Sequence, residues 1–232
     1  MDIYSVFIHA IKIILSGNQE LYGTIFRSLY ISGTAVSIAG LIGIPVGTWM
    51  GSRNFIFKKI IIRFIYVFMG LPPVLAGLLL FLLLSRSGPI AKYVYILFSP
   101  AAMILAQIVL ALPIVIGLVY TASEEKAPIV MMTTMGLGAT RLQSLITLML
   151  ELRHPNILAL VTAFGRVIAE VGAVMLVGGD IAGKTRVLTT AIVLETRKGN
   201  FEMAIALGIV LLMISFMINS LLFSWQYGGY KQ

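Results

Sequence analysis

Cysteine is absent from the 232 residues, which excludes a disulfide framework, a thiolate nucleophile and a cysteine metal site. Histidine occurs only at His9 and His154, far apart in the chain, so a histidine-based metal centre is not expected either. Acid is scarce: the sole aspartates are Asp2 and Asp180. Charged residues amount to 11% of the chain, where soluble domains carry about a quarter. What fills the space is apolar, with 59% hydrophobic residues and a mean hydropathy of +1.00. Apolar runs of about 18 residues or more recur, so the sequence predicts one all-α membrane domain over residues 1–232. The formal charge of +8 does not indicate nucleic acid, because the basic residues sit mostly at the ends of apolar runs, where they anchor spans at the lipid headgroups.

About five spans are expected, preceded by an interfacial helix within residues 1–20. There Ile3, Val6, Phe7, Ala10, Ile11 and Ile14 recur at helical spacing, with Asp2, Ser5, His9 and Lys12 off that face. The first span covers about Ser28 to Gly51. Along it Ala35, Ala39, Gly43, Gly47 and Gly51 fall every fourth residue and form a ridge that a second helix can approach closely. A second span, about Ile61 to Leu84, is interrupted by Pro72 and Pro73, whose freed carbonyls need protein or water partners inside the bundle. The third covers about Ser99 to Ala122, with Pro113 in its middle. Residues 124–155 are polar enough to lie outside the bilayer. A fourth span, about Pro155 to Gly179, carries Arg166 and Glu170 near its centre, and a fifth covers about Met203 to Trp225, with Trp225 and Tyr227 as interface anchors. Between them, residues 180–202 form a loop with a short surface or re-entrant helix at Val187 to Leu194, for which Thr185 is available as a cap. Basic residues do not settle the orientation, since five spans leave eight on each side, with Arg166 the seventeenth.

The stretch "VGGDIAGKT" matches G-x-x-x-x-G-K-[ST], the phosphate-cradling loop of nucleotide hydrolases, from Gly178 to Thr185. A working loop of that kind follows a buried strand in a soluble α/β domain and needs an acidic residue elsewhere for magnesium. Here it follows a spanning helix, and Asp180 lies within the loop itself. A glycine turn at a helix end accounts for the same residues, so no nucleotide site is expected.

The polar region is more informative. In "MGLGATRLQSLITLML", Leu142, Leu145, Ile146 and Met149 recur at i, i+3, i+4 and i+7 beside polar Arg141, Gln143 and Ser144, which predicts a short amphipathic helix after a glycine hinge at Gly136 and Gly138. Such a helix either docks in a groove or lies on the headgroups. The segment resembles the cytoplasmic signature loop of permease subunits in ATP-binding-cassette importers: E-A-A, three residues, G, nine residues, I-x-L-P. With the glycine on Gly138, Leu148 and Leu150 take the apolar positions, while Met132-Thr133-Thr134 replace E-A-A and Glu151 replaces the proline. "GLPPVLAGLLLFLLLSRSGP" is similar to the second span of molybdate-type permeases. "FGRVIAEVGAVMLVGGDIAGKTRVLTTAIVLETRKGNF" is very similar to the tungstate branch of that family.

The resemblance implies a type I importer permease that moves an oxyanion, tungstate foremost and molybdate or another oxyanion as the alternative. It implies partners as well: ATPase subunits that hold ATP and magnesium, an extracytoplasmic oxyanion-binding protein, and a second copy of the chain. It also implies a prokaryotic cytoplasmic membrane, an outer N-terminus and a cytoplasmic C-terminus. Thr134, Gly136, Gly138, Ala139, Arg141, Leu142, Leu145 and Ile146 are then the candidates for coupling to the ATPase. Pro72, Pro73, Arg166, Glu170, Thr189 and Thr190 are candidates for the pathway or its gate. Arg166 and Glu170 each cost about 2.5–3.5 kcal/mol if left alone at mid-bilayer, so they are expected to have partners, either each other or groups on other helices. An ion-gradient transporter using that pair as a proton-linked element, and a non-transporting scaffold, are the rival classes. Neither an enzyme active site nor a metal or cofactor site is expected within the chain.

Overall fold

The computed structural model describes residues 8, 11–15, 19–90 and 95–228, the last eight as backbone alone. Ile3, Val6, Phe7 and Ala10 of the expected interfacial helix, its polar residues Asp2, Ser5 and His9, and the Trp225 and Tyr227 side chains lie outside the described residues. Residues 11–15 are helical, and Ile13 and Ile14 pack back against Leu21 and its neighbours. The elements that follow are α1 (Gln19–Ser52), α2 (Lys58–Met69), α3 (Pro73–Leu84), α4 (Pro100–Gly136), α5 (Arg141–Glu151), α6 (Arg153–Ile168), α7 (Gly172–Gly178), α8 (Leu188–Arg197) and α9 (Phe201–Gly228). Among the described residues every regular element is helical.

Three helices, Gln19–Ser52, Pro100–Gly136 and Phe201–Ser220, are long and apolar enough to cross a bilayer on their own. Two bent pairs bring the number to five if each counts as one span: α2 with α3, turned by 100° at Gly70–Pro72, and α5 with α6, turned by 64° at Leu152. The first bend has its cause in sequence. Pro73 occupies the first turn of α3, and Pro72 beside it cannot donate to α2, so Leu75 and Ala76 donate instead to the Pro72 carbonyl, at 3.0 and 3.2 Å.

The fourth span departs from the sequence reading. Instead of one helix from Pro155 to Gly179, α6 begins at Arg153, stops at Ile168, and gives way to the seven-residue α7 after a break at residues 169–171. The region 124–155 also differs, being helical apart from residues 137–140 and Leu152, because α4 continues past Ala122 to Gly136. Ser99, expected at its start, caps α4 by accepting from the Ala102 amide.

The core is the seam between α1 and α4. Ala35 and Ala39 are fully buried, and beyond them the small-residue ridge lets the backbones nearly touch. A side chain at Gly47 would start 2.9 Å from both the Ile116 carbonyl oxygen and Val119 Cβ; at Gly51 it would meet Ser123 at 2.5 Å. The approach lets Ser123 Oγ donate to the Thr48 carbonyl at 3.0 Å. Around this seam α3, α6 and α7 pack to give one apolar cluster that includes Leu80, Leu84, Met103, Ala163, Val167 and Val174. A second, smaller cluster of Leu21, Leu188, Ala191, Leu207 and Val210 ties α9 to α8 and to the first turns of α1.

Gly47→Val is expected to lower stability by about 1–3 kcal/mol through overpacking, read as a fall in the midpoint of thermal unfolding in detergent. Gly33→Ala on the same helix, where an added Cβ meets nothing within 4 Å, should leave it unchanged or raise it. Equal midpoints for the two variants would contradict a tight α1–α4 seam.

Candidate functional site

The break at residues 169–171 releases backbone groups that water cannot reach in a bilayer, and side chains from two other helices and from the break itself answer them. Gln107 Nε2 on α4 donates to the Val167 carbonyl at 3.0 Å, and Thr189 Oγ1 on α8 donates to the Glu170 carbonyl at 2.8 Å. The Glu170 carboxylate turns inward, where Oε1 accepts from the Ala173 amide at 3.0 Å and so caps the first turn of α7. Gln107, Glu170 and Thr189 are all buried. At about 1.5 Å per residue, Gln107 stands about 10 Å from the Pro100 end of α4 and about 25 Å from Glu124, which puts the break well inside the hydrocarbon layer.

A second break lies alongside. The first two turns of α3 sit against the first turn of α7, so close that a side chain at Gly77 would meet Ala173 Cα at 2.6 Å and one at Gly172 would meet Val74 Cγ2 at 2.5 Å. Pro72 and Pro73 therefore belong to the same level as Glu170. Pro72 is exposed and Pro73 half-buried. Thr190 is buried, and its hydroxyl is spent locally, accepting from the Val187 amide and donating to the Val187 carbonyl, both at 3.1 Å. It is this hydroxyl, and not Thr185, that serves the start of α8.

Arg166 does not join Glu170. The two were expected on one face of a continuous helix, four residues apart; the helix ends between them, and the carboxylate turns to α7 instead. Arg166 is exposed on the protomer surface and makes no salt bridge among the described residues.

Gly178 to Thr185 closes on itself. The amides of Lys184, Thr185 and Arg186 all donate to the single carbonyl of Ile181, at 3.1, 2.9 and 3.0 Å. The fully buried Thr185 hydroxyl accepts from the Ile181 amide and donates to the Gly178 carbonyl, at 2.9 and 2.7 Å. A phosphate cradle needs those amides free and that hydroxyl on a metal, so the loop cannot act as one. It is braced from outside: Arg186 reaches Asp180 at 3.4 Å and Glu20 at 3.1 Å, while Arg27 Nε donates to the Arg186 carbonyl at 3.0 Å.

At the opposite end, α4 passes into α5 through two fitted caps. Gly138 holds φ +87°, and the bonds Ala139 N–H to Thr134 O and Gly138 N–H to Met135 O, both 3.0 Å, form a Schellman motif that terminates α4. Thr140 then opens α5 with a capping box: its hydroxyl accepts from the Gln143 amide, and Gln143 Oε1 accepts from the Thr140 amide. The pattern T-x-x-Q at Thr140–Gln143 carries that signal in the sequence, beside the amphipathic spacing that marks the helix it opens. Thr134 Oγ1 joins the two helices through Ser144 Oγ at 2.8 Å. Ser144 and Leu148 face inward, with Leu145 and Met149 half-buried, whereas Arg141, Leu142, Ile146 and Leu150 stand outward and exposed. Gly136 is the last residue of α4, with open space where a side chain would be. Above this end Lys58 pairs with Glu124 at 3.3 Å and lies over the Tyr120 ring. The Glu124 carboxylate is held below the usual range by its hydrogen bond to Tyr120 and then by Lys58, against an opposing effect of burial.

No family model matches the chain. Curated relatives do. It is 42% identical over 94% of its length to a tungstate uptake system permease protein, TupB, of Peptoclostridium acidaminophilum, covering 95% of that protein. It is 36% identical over 94% of its length to the TupB of Campylobacter jejuni, covering 90%. A putative molybdenum transport system permease protein of Bacillus subtilis, YvgM, matches at 24% over 86% of this chain and 91% of the other. Among solved structures, a bacterial ABC transporter involved in import of the acidic polysaccharide alginate aligns with TM-score 0.63 at 20% identity, covering 93% of this chain and 82% of that one.

Thr189→Val removes the donor that satisfies the Glu170 carbonyl and should cost about 1–3 kcal/mol for the orphaned acceptor. Thr162→Val, whose hydroxyl only returns to the Leu158 carbonyl of its own helix, should cost less than half as much. Denaturation of the two variants in matched detergent checks the order, and equal losses would contradict it.

Proposed function

Since the chain belongs to the tungstate- and molybdate-type permease subunits of ATP-binding-cassette importers, we propose that it carries a tetrahedral oxyanion, tungstate ahead of molybdate, across the cytoplasmic membrane of a prokaryote. The observation that carries this reading is the 42% identity to a tungstate uptake permease over 94% of the chain, against 24% for a putative molybdenum permease. Hydrolysis takes place in separate ATPase subunits, which hold ATP and magnesium; this chain holds no cofactor. An extracytoplasmic binding protein delivers the anion, and two copies of the permease enclose the path, because five spans surround little space alone.

Orientation follows from the same proposal, with α5 on the cytoplasmic side, the N-terminus outside and the C-terminus inside. Leu142, Ile146 and Leu150 form an exposed stripe at i, i+4 and i+8 that suits a groove on the ATPase, with Arg141 beside them for polar contacts. Gly136, Gly138 and Ala139 set the turn. Leu145 and Thr134 act from behind, fixing α5 to α4. The pathway side is Pro72, Pro73 and Arg166, at the level of the paired breaks. Glu170, Thr189 and Thr190 hold those breaks in shape and do not line the path. Because a divalent oxyanion binds tightly to any fixed basic cluster, a path that must release it is sparsely charged, and selectivity resides in the binding protein.

Mass spectrometry of material co-purifying with a tagged copy from native membranes should find an ATPase and an oxyanion-binding protein, and titrating the latter with tungstate, molybdate and sulfate identifies the cargo. Recovery of this chain alone after prior cross-linking would overturn the importer. Gly138→Pro removes both the positive φ and the amide bonded to Met135. It should leave a folded permease in which anion no longer stimulates ATP hydrolysis; preserved stimulation would refute the coupling role.

A further inference from the structure

Arg166 is part of a stripe. Beyond its first turn α6 presents Leu158, Thr162 and Arg166 outward, with exposed Ala169 just past its end, each about one helical turn from the next, while Ala159, Ala163 and Val167 between them are buried in the core. The carbonyl next to Arg166, that of Val167, is the one bonded by Gln107, so Arg166 branches from α6 at the depth of the break. Every other described carboxylate is elsewhere: Glu124, Glu125 and Glu151 at the α5 end, Glu20, Asp180, Glu195 and Glu202 at the end where α4 begins, and Glu170 turned onto α7. An arginine at that depth does not face hydrocarbon. A second copy brings no carboxylate to that level either, since its Glu170 is buried in the same way.

Resting on the reading above, that the chain works as a dimeric oxyanion permease, we infer that the α6 stripes of two copies face each other across the two-fold axis and that the two Arg166 guanidinium groups form a transient site for the translocated divalent anion. Symmetry gives the argument its force. With the axis passing between the two α6 stripes, as inferred, the isologous contact sets Arg166 opposite Arg166. Two cations facing across a low-dielectric gap repel, and one tetrahedral dianion between them cancels both charges while offering each planar guanidinium a pair of oxygens. The site is complete only while the copies are close. Separating the α6 helices leaves a single arginine per copy, which weakens the hold at the moment of release.

The chain contains no cysteine, so one introduced thiol is its only one. Thr162→Cys, a turn from Arg166 on the same stripe, leaves the guanidinium in place. In the assembled complex in vesicles, a short bifunctional thiol reagent should join two permease chains at Thr162→Cys and not at Leu212→Cys, which is exposed on α9. Tungstate at about ten times its Kd should slow neutral-maleimide labelling of Thr162→Cys by about tenfold, since only the unoccupied site is open to the reagent. Adding Arg166→Gln should abolish that protection and keep the cross-link. Absence of the cross-link, or protection that survives Arg166→Gln, overturns the inference. Tungstate uptake by the unmodified complex in the same vesicles is read alongside: uptake without cross-linking sinks only the Arg166 site, whereas no uptake of tungstate or molybdate sinks the permease reading itself.

Discussion

An interrupted helix inside a bilayer must have its backbone answered by protein, and the break at residues 169–171 organises much of this molecule around that demand. Three side chains from three elements meet it: Gln107 from α4, Thr189 from α8 and Glu170 from the break itself. Gln107 ties α4 to the end of α6, Thr189 ties α8 to the break, and Glu170 ties the break to the first turn of α7, so these four helices are positioned by the same few groups. The loop at residues 179–187 is folded back on itself to bring Thr189 to the right depth, which explains why its amides and Thr185 are consumed internally.

Because the carboxylate of Glu170 is committed to α7, Arg166 makes no salt bridge among the described residues of its own chain. This division separates two residues that the sequence shows as a pair. One is a structural acid, buried and capped onto an amide; the other is an exposed base at the same level. An ion pair within one helix would have made both inert.

Much of the fold was legible in the chain. The small-residue ridge announced the α1–α4 seam, Pro72–Pro73 the break between α2 and α3, and Gly138 the left-handed turn before α5, since each rests on local chemistry that residue type dictates. The interruption at Glu170 was not legible. No proline or glycine stands at residues 169–171, and the break is sustained by Gln107 and Thr189, more than sixty and nearly twenty positions away in sequence, so only tertiary contact reveals it. The extension of α4 to Gly136 has the opposite cause: the polar residues Glu124, Glu125 and Lys126 end the apolar run, and the helix simply continues past them. At α5 the spacing of apolar residues identified an amphipathic helix, but apolar residues on both of its faces hid which face packs against the rest of the chain. Leu148 turned out to be the inward one, and Leu142 with Ile146 the outward.

The length of α4 has a mechanical meaning. It is one helix of 37 residues held near one end by the Gln107 bond. From that point Gly136 is about 43 Å away and Pro100 about 10 Å, taking 1.5 Å per residue. A helix pivoting there is a lever with unequal arms. A sideways displacement of about 4 Å at the end that meets α5 becomes about 1 Å at the far surface, opposite in direction. The close packing at Gly47 and Gly51 ties α1 to any such tilt of α4.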